Sequence, residues 1–192
     1  MAINRDKEHL GRLQEYYADH YLIPSYARIG ELVGIRSKSC VSKLLDRLRL
    51  QGFLEKNPEG HLLPSKRFFE RPVAGKAPAG FASPAMEVLG DAISIDDFLV
   101  EHPASTVLVQ VKGESMIGAG INDGDFLVVE RKSNPQVGSI VVAIVDGEFT
   151  IKYLRQDRKS YYLEPANENY PIIHPEGELE VYGVMVGLFR KS

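Results

Sequence analysis

The sequence predicts an α+β chain of two domains, a front one of three helices and a β-hairpin and a larger, mostly-β one behind it. Three observations predict this. Apolar residues recur at helical spacing through residues 8–50. Residues 64–85 then break the periodicity with Pro64, Pro72, Pro78 and Pro84, and with Gly75 and Gly80. Beyond them run short segments rich in Val, Ile, Tyr and Phe, separated by turns.

In the first helix, Leu10, Leu13 and Tyr17 share one face of "EHLGRLQEYYADHY". The second follows Pro24, with Ser25 as N-cap and Tyr26, Ile29, Leu32 and Val33 as its buried stripe. Gly34 supplies the turn. The third, in "RSKSCVSKLLDRLRLQGF", buries Val41, Leu44, Leu45 and Leu48 and stops near Gly52. Phe53–Lys56 and His61–Leu63 read as two short strands around an Asn57-Pro58-Glu59-Gly60 turn. Three helices and a hairpin make a winged helix-turn-helix. Ser37, Lys38, Ser39, Ser42 and Lys43, at the start of the third helix, are hydroxyls and lysines suited to phosphates and base edges. Arg47 and Arg49 suit phosphate or interdomain contact. Cys40 either faces the groove or fills a small buried space. The competing reading is a three-helix protein-interaction domain.

Charge and composition agree with two domains. Residues 1–66 carry 11 Lys+Arg against 8 Asp+Glu, and residues 67–192 carry 12 against 18. A front of +3 and a back of −6 suit different partners. No apolar run approaches the roughly 20 residues of a membrane span. The first residues are too polar for a secretory segment. A single cysteine excludes an internal disulfide and points to the cytoplasm. The expected boundaries are residues 1–66 for the DNA-binding domain, 67–77 for a linker and 78–192 for the β-rich domain. The linker's small residues also leave its backbone open to a protease.

In the back domain, Asp146-Gly147 marks a hairpin, and the one clear helix is short, about Ile95–Glu101. "VKGESMIGAGINDGDF" places Ser115 among glycines with no histidine nearby. Three groups compete to activate it. His102 and His174 sit in turn-like contexts, and a Ser-His-Asp triad has nothing in its favour. Asp123 and Asp125 form an acidic pair or simply a turn into "FLVVE". Lys152 alternates with apolar residues in "GEFTIKYLR" and shares a strand face with Leu154. It is either a solvated strand lysine or a buried one, whose lost proton would make it a general base for a serine. No residue cluster has metal-ligand spacing, and no cofactor is expected.

Taken in order, "GESM" (Gly113–Met116), "DGD" (Asp123–Asp125) and "TIKYL" (Thr150–Leu154) behind a winged helix resemble the LexA-type repressors, self-cleaving regulators of the bacterial DNA-damage response. The resemblance covers nearly the whole chain. It implies a Ser115–Lys152 dyad in a self-cleaving peptidase domain, with cleavage at Ala79-Gly80 in a loop of about residues 77–84. It also implies double-stranded operator DNA as a partner, a homodimer held through the C-terminal domain, and stimulation by the RecA–single-stranded-DNA filament. "GFASPA" and "EHPAS" are more similar to the UmuD branch. The alternative is therefore an accessory subunit of an error-prone polymerase that retains a first domain. The third helix departs from the usual LexA pattern at Ser42 and Lys43, so the usual operator sequence is not expected.

Overall fold

The computed structural model describes residues 5–73, 91–131, 134–158, 160–175 and 177–192. Two units, residues 1–95 and 96–192, each have their own core.

In the first unit, α1 (Asp6–His20) buries Leu10 and Leu13. α2 (Tyr26–Val33) starts at Ser25, whose side chain accepts from the Arg28 N–H. It ends at Gly34 with φ +74°, a conformation cheap only for glycine. The turn to α3 is tight. A Cβ at Gly30 would lie 2.7 Å from the Ile35 carbonyl oxygen. α3 (Lys38–Leu50) buries the four residues expected of it. It closes with paired bonds, Gly52 N–H to Arg49 C=O and Phe53 N–H to Leu48 C=O, the Schellman arrangement that satisfies orphan carbonyls. β1 (Leu54–Lys56) and β2 (Leu62–Pro64) form an antiparallel hairpin. Its turn is braced by Asn57, whose side chain accepts from the His61 N–H. Two features were not legible in the sequence. A 3₁₀ turn at Lys66–Phe69 drives Phe68 into the core beside Leu54, and β3 (Arg71–Pro72) pairs with β4 (Ala92–Ile93).

α4 (Ile95–Leu99) follows, two residues shorter than its sequence pattern. The second unit is built on one antiparallel sheet in the order β5-β6-β10-β7-β8-β9. Its strands are β5 (Thr106–Gln110), β6 (Phe126–Glu130), β7 (Ile140–Val145), β8 (Glu148–Gln156), β9 (Tyr161–Glu164) and β10 (Leu179–Phe189). β7 and β8 are joined by Asp146-Gly147, both at positive φ, the type I′ geometry that matches strand twist. β10 shifts register before Gly183 and again before Gly187. A Cβ at Gly183 would meet Val129 at 2.6 Å, so the bulged strand can lie this close only as glycine.

Candidate active site

Ser115 sits on a loop closed at its base. The Val111 N–H donates to Asp125 C=O at 2.8 Å, and the Gly124 N–H to Val111 C=O at 3.0 Å. Gly113, at φ +94°, donates its N–H to the Asp123 carboxylate at 2.6 Å. Asp125 is buried, accepts from the Asn122 N–H at 2.8 Å, and is paired with Arg190 at 2.9 Å. The two aspartates are therefore fasteners of the Ser115 loop, and neither is an acid–base pair for it. Met116 and Ile121 anchor the loop in the core.

The far side of the loop is fastened to the segment after β9. The Ala166 N–H donates to Ser115 C=O at 2.9 Å, and the Gly118 N–H to Ala166 C=O at 2.8 Å. The Asn167 side-chain amide donates to Glu114 C=O at 3.0 Å. A Cβ at Gly118 would fall 2.2 Å from the Ala166 oxygen, so this contact demands glycine.

β8 carries Lys152 in register with Val141 of β7. The lysine is only 6% exposed. Its Nζ lies 2.8 Å from Ser115 Oγ, 3.0 Å from Thr150 Oγ1 and 3.0 Å from Ile151 C=O. Among the described residues no carboxylate pairs with it. Burial alone pushes its pKa below the ordinary lysine value. Nζ donates to all three oxygens. On losing a proton it can keep the bonds to Thr150 and Ile151 and, as a neutral amine, offer its lone pair to the Ser115 hydroxyl. Such an amine can take the proton of the serine that attacks a carbonyl. Ser115 and Lys152 open into a cavity of about 370 Å³ that Met116, Val142, Phe149 and Tyr170 also line.

The histidines lie elsewhere. His102 Nδ1 meets the Glu130 carboxylate, and the ring of His174 packs against Tyr162 at 5.2 Å. Ala79 and Gly80, with the loop 77–84, fall outside the described residues. On α3, Lys38, Ser39 and Lys43 are exposed, as is Cys40, while Ser42 is half-buried. Ser37 Oγ and Ser39 Oγ hydrogen-bond each other at 2.9 Å. Arg47 differs from its sequence expectation. Its guanidinium forks onto the buried Asp6 through two bonds of 2.8 Å, because Asp6 at the start of α1 needs a counter-charge. Arg49 pairs with Asp46. Asn167 and Arg190 were missed in the sequence, where each is an ordinary polar residue without a motif around it, and Thr150 stood there only as the first residue of "TIKYL", with no role of its own. Among the described residues no cluster of His, Cys, Asp or Glu is arranged for a metal, and no helix is long and apolar enough to cross a membrane.

Comparison with known proteins places these features in context. Residues 72–186 match the family model described as Peptidase S24-like. Over 194 residues the chain is 34% identical to the LexA repressor of Alcanivorax borkumensis, covering 97% of this chain and 95% of that one. It is 32% identical to the LexA repressor of Acetivibrio thermocellus, over 88% of this chain and 87% of that one. A shorter match, 38% identical over 117 residues, is to Protein SamA of Salmonella typhimurium, covering 61% of this chain and 82% of that one.

Proposed function

The chain belongs to the Peptidase S24-like family and is of LexA type, and from that premise we propose that it is a transcriptional repressor of DNA-damage response genes that inactivates itself by cutting its own chain. The observation that carries this reading is the buried, carboxylate-free Lys152 amine 2.8 Å from the Ser115 hydroxyl. A structural lysine would instead be solvated or paired.

In this proposal residues 1–66 are a winged helix-turn-helix that binds operator DNA. Residues 67–77 are the linker, anchored at its start to the first unit by the buried Phe68, and residues 78–192 are the cytoplasmic protein's peptidase and dimerisation domain. The N-terminal half of α3 enters the major groove with Ser37, Lys38, Ser39, Ser42 and Lys43. A homodimer joins two modest half-site affinities through effective concentration. The RecA–single-stranded-DNA filament favours the conformer in which residues 77–84 occupy the cavity. Neutral Lys152 takes the Ser115 proton, and the serine oxygen attacks the carbonyl carbon of Ala79. Backbone N–H groups near Ser115 hold the oxyanion. The protonated Lys152 gives its proton to the departing Gly80 amine, and water releases the ester. Separation of the two domains ends tight operator binding. The polymerase-accessory alternative is less favoured, since the SamA match spans 117 residues while the LexA repressor matches take in the front unit.

The test is incubation of purified protein with and without RecA, an ATP analogue and single-stranded DNA, with fragments read by mass spectrometry. RecA-stimulated scission of the wild-type chain is expected, with none for Ser115→Ala or Lys152→Ala. Scission that persists in Lys152→Ala would refute the dyad.

A further inference from the structure

We propose that Asn167 is a positioning residue that sets the peptide plane of the oxyanion-binding N–H groups at Ser115, a reading that rests on the peptidase function proposed above. The two peptide units flanking the serine are both held by their carbonyls. Glu114 C=O accepts from the Asn167 side chain at 3.0 Å, and Ser115 C=O accepts from the Ala166 N–H at 2.9 Å. A trans peptide directs its C=O and N–H to opposite sides. With both carbonyls turned to residues 166–167, the N–H groups of Ser115 and Met116 both turn away from that segment.

Those two N–H groups have no hydrogen-bond partner among the described residues. The next two donors along the chain are already used, Ile117 N–H on Glu114 C=O and Gly118 N–H on Ala166 C=O. Ser115 and Met116 also line the cavity that opens at the Lys152 amine. Two adjacent, unengaged donors on the nucleophile's own backbone suit a developing negative charge. A donor helps there only if its direction is set beforehand, because reorienting a peptide during reaction costs the energy it would supply.

Asn167 is itself held for the task. Its side-chain oxygen accepts from the Asn169 N–H at 3.0 Å, which orients the amide and leaves its NH₂ for Glu114. Ala166 contributes only backbone, so Asn167 is the one side chain in this fastening that a substitution can remove. Its partner is the carbonyl of the peptide whose nitrogen belongs to Ser115. It touches neither Ser115 Oγ nor Lys152 in the hydrogen bonding described.

The experiment is the pH profile of self-cleavage without RecA in the full-length wild-type chain, Asn167→Asp and Asn167→Ala, with thermal unfolding alongside. Asn167→Asp is nearly isosteric and keeps the acceptor for Asn169, but it loses the donor to Glu114. Both variants are expected to lower the high-pH plateau rate about ten- to a few hundredfold, by analogy with loss of an oxyanion donor. The pH midpoint, set by Lys152, should stay where the wild type has it. A wild-type plateau in Asn167→Asp would overturn the assignment. A midpoint that moves together with the plateau would overturn it too, since Asn167 would then act on the Ser115–Lys152 pair. If a variant unfolds below the assay temperature, the same profile taken at lower temperature decides between these outcomes. Failure of the wild-type chain to cut itself at any pH would instead remove the peptidase reading, and this inference with it.

Discussion

A lysine without a counter-charge is costly to bury, and Lys152 is buried with only neutral partners. The cost has a sign in pH. Its folded pKa is lowered, so between that value and the unfolded one, near roughly 10.4, the unfolded chain binds more protons. Native stability should therefore rise with pH through this window. Lys152→Met should stabilise the native state near neutral pH by about 1 kcal/mol, seen as a higher unfolding temperature, and the gain should fade towards roughly pH 10. Differential scanning calorimetry across pH checks this; a gain that grows with pH would contradict the burial argument. The same proton controls the proposed chemistry. Cleavage without RecA should be slow at neutral pH and accelerate as pH rises, with a midpoint below that of a free lysine. A histidine base would level off above about pH 7. A second residue-scale prediction concerns Gly118. Its α-carbon is too near the Ala166 oxygen for a methyl group, so Gly118→Ala should separate the Ser115 loop from residues 166–167. Cleavage should fall by at least about tenfold, at a stability cost of roughly 1–3 kcal/mol, read by cleavage rate and chemical denaturation. Operator binding should be unchanged.

Among the elements, α3 has two halves with different work. Its C-terminal half ties the first unit together, because Arg47 neutralises the buried Asp6 of α1. The hydrogen bonds and charge of Arg47 hold the Asp6 carboxyl below the usual carboxylate range. That contribution is present above the unfolded Asp pKa, near roughly 3.9, and is lost as pH falls through the lower folded value. Arg47→Ala should cost about 1–2 kcal/mol at pH 7, discounted because Arg47 is half exposed. The cost should shrink in strong acid, as urea denaturation at two pH values would show. In the proposed function the N-terminal half of α3 meets the operator. Ser39→Ala or Lys43→Ala should weaken operator binding by about 1–3 kcal/mol and relax preference at one base position. Unchanged affinity and preference in both, measured by mobility shift against an operator library, would displace α3 from the groove. Cys40 lies exposed on this half, which periodicity alone left undecided.

For the whole molecule, the proposed function assigns operator binding and cutting to separate domains, which would make scission a switch. Cleavage should produce fragments 1–79 and 80–192, and Gly80→Val should block it by crowding the peptide in the site. The first-order rate should not depend on protein concentration if the chain cuts itself in cis. Mass spectrometry over a dilution series tests both points. A product beginning at Gly75, or a rate proportional to concentration, would contradict them.

Local patterning was enough for the elements. Helical spacing of Leu10, Leu13, Ile29 and Leu44 marked the front core, and Asp146-Gly147 marked a hairpin, because side-chain periodicity and turn chemistry act within a few residues. Motif spacing also singled out Ser115 and Lys152 as candidates. Whether Lys152 was solvated or buried, and whether Asp123 and Asp125 were acids or fasteners, depended on partners 10 to 65 residues away in sequence. Such partners leave no periodic trace. The Asn167 bond to Glu114, the Arg190 clamp on Asp125 and the Arg47 fork on Asp6 are of the same kind. Each is a single polar contact made when strands and loops meet, and only the tertiary structure decides which donor meets which acceptor.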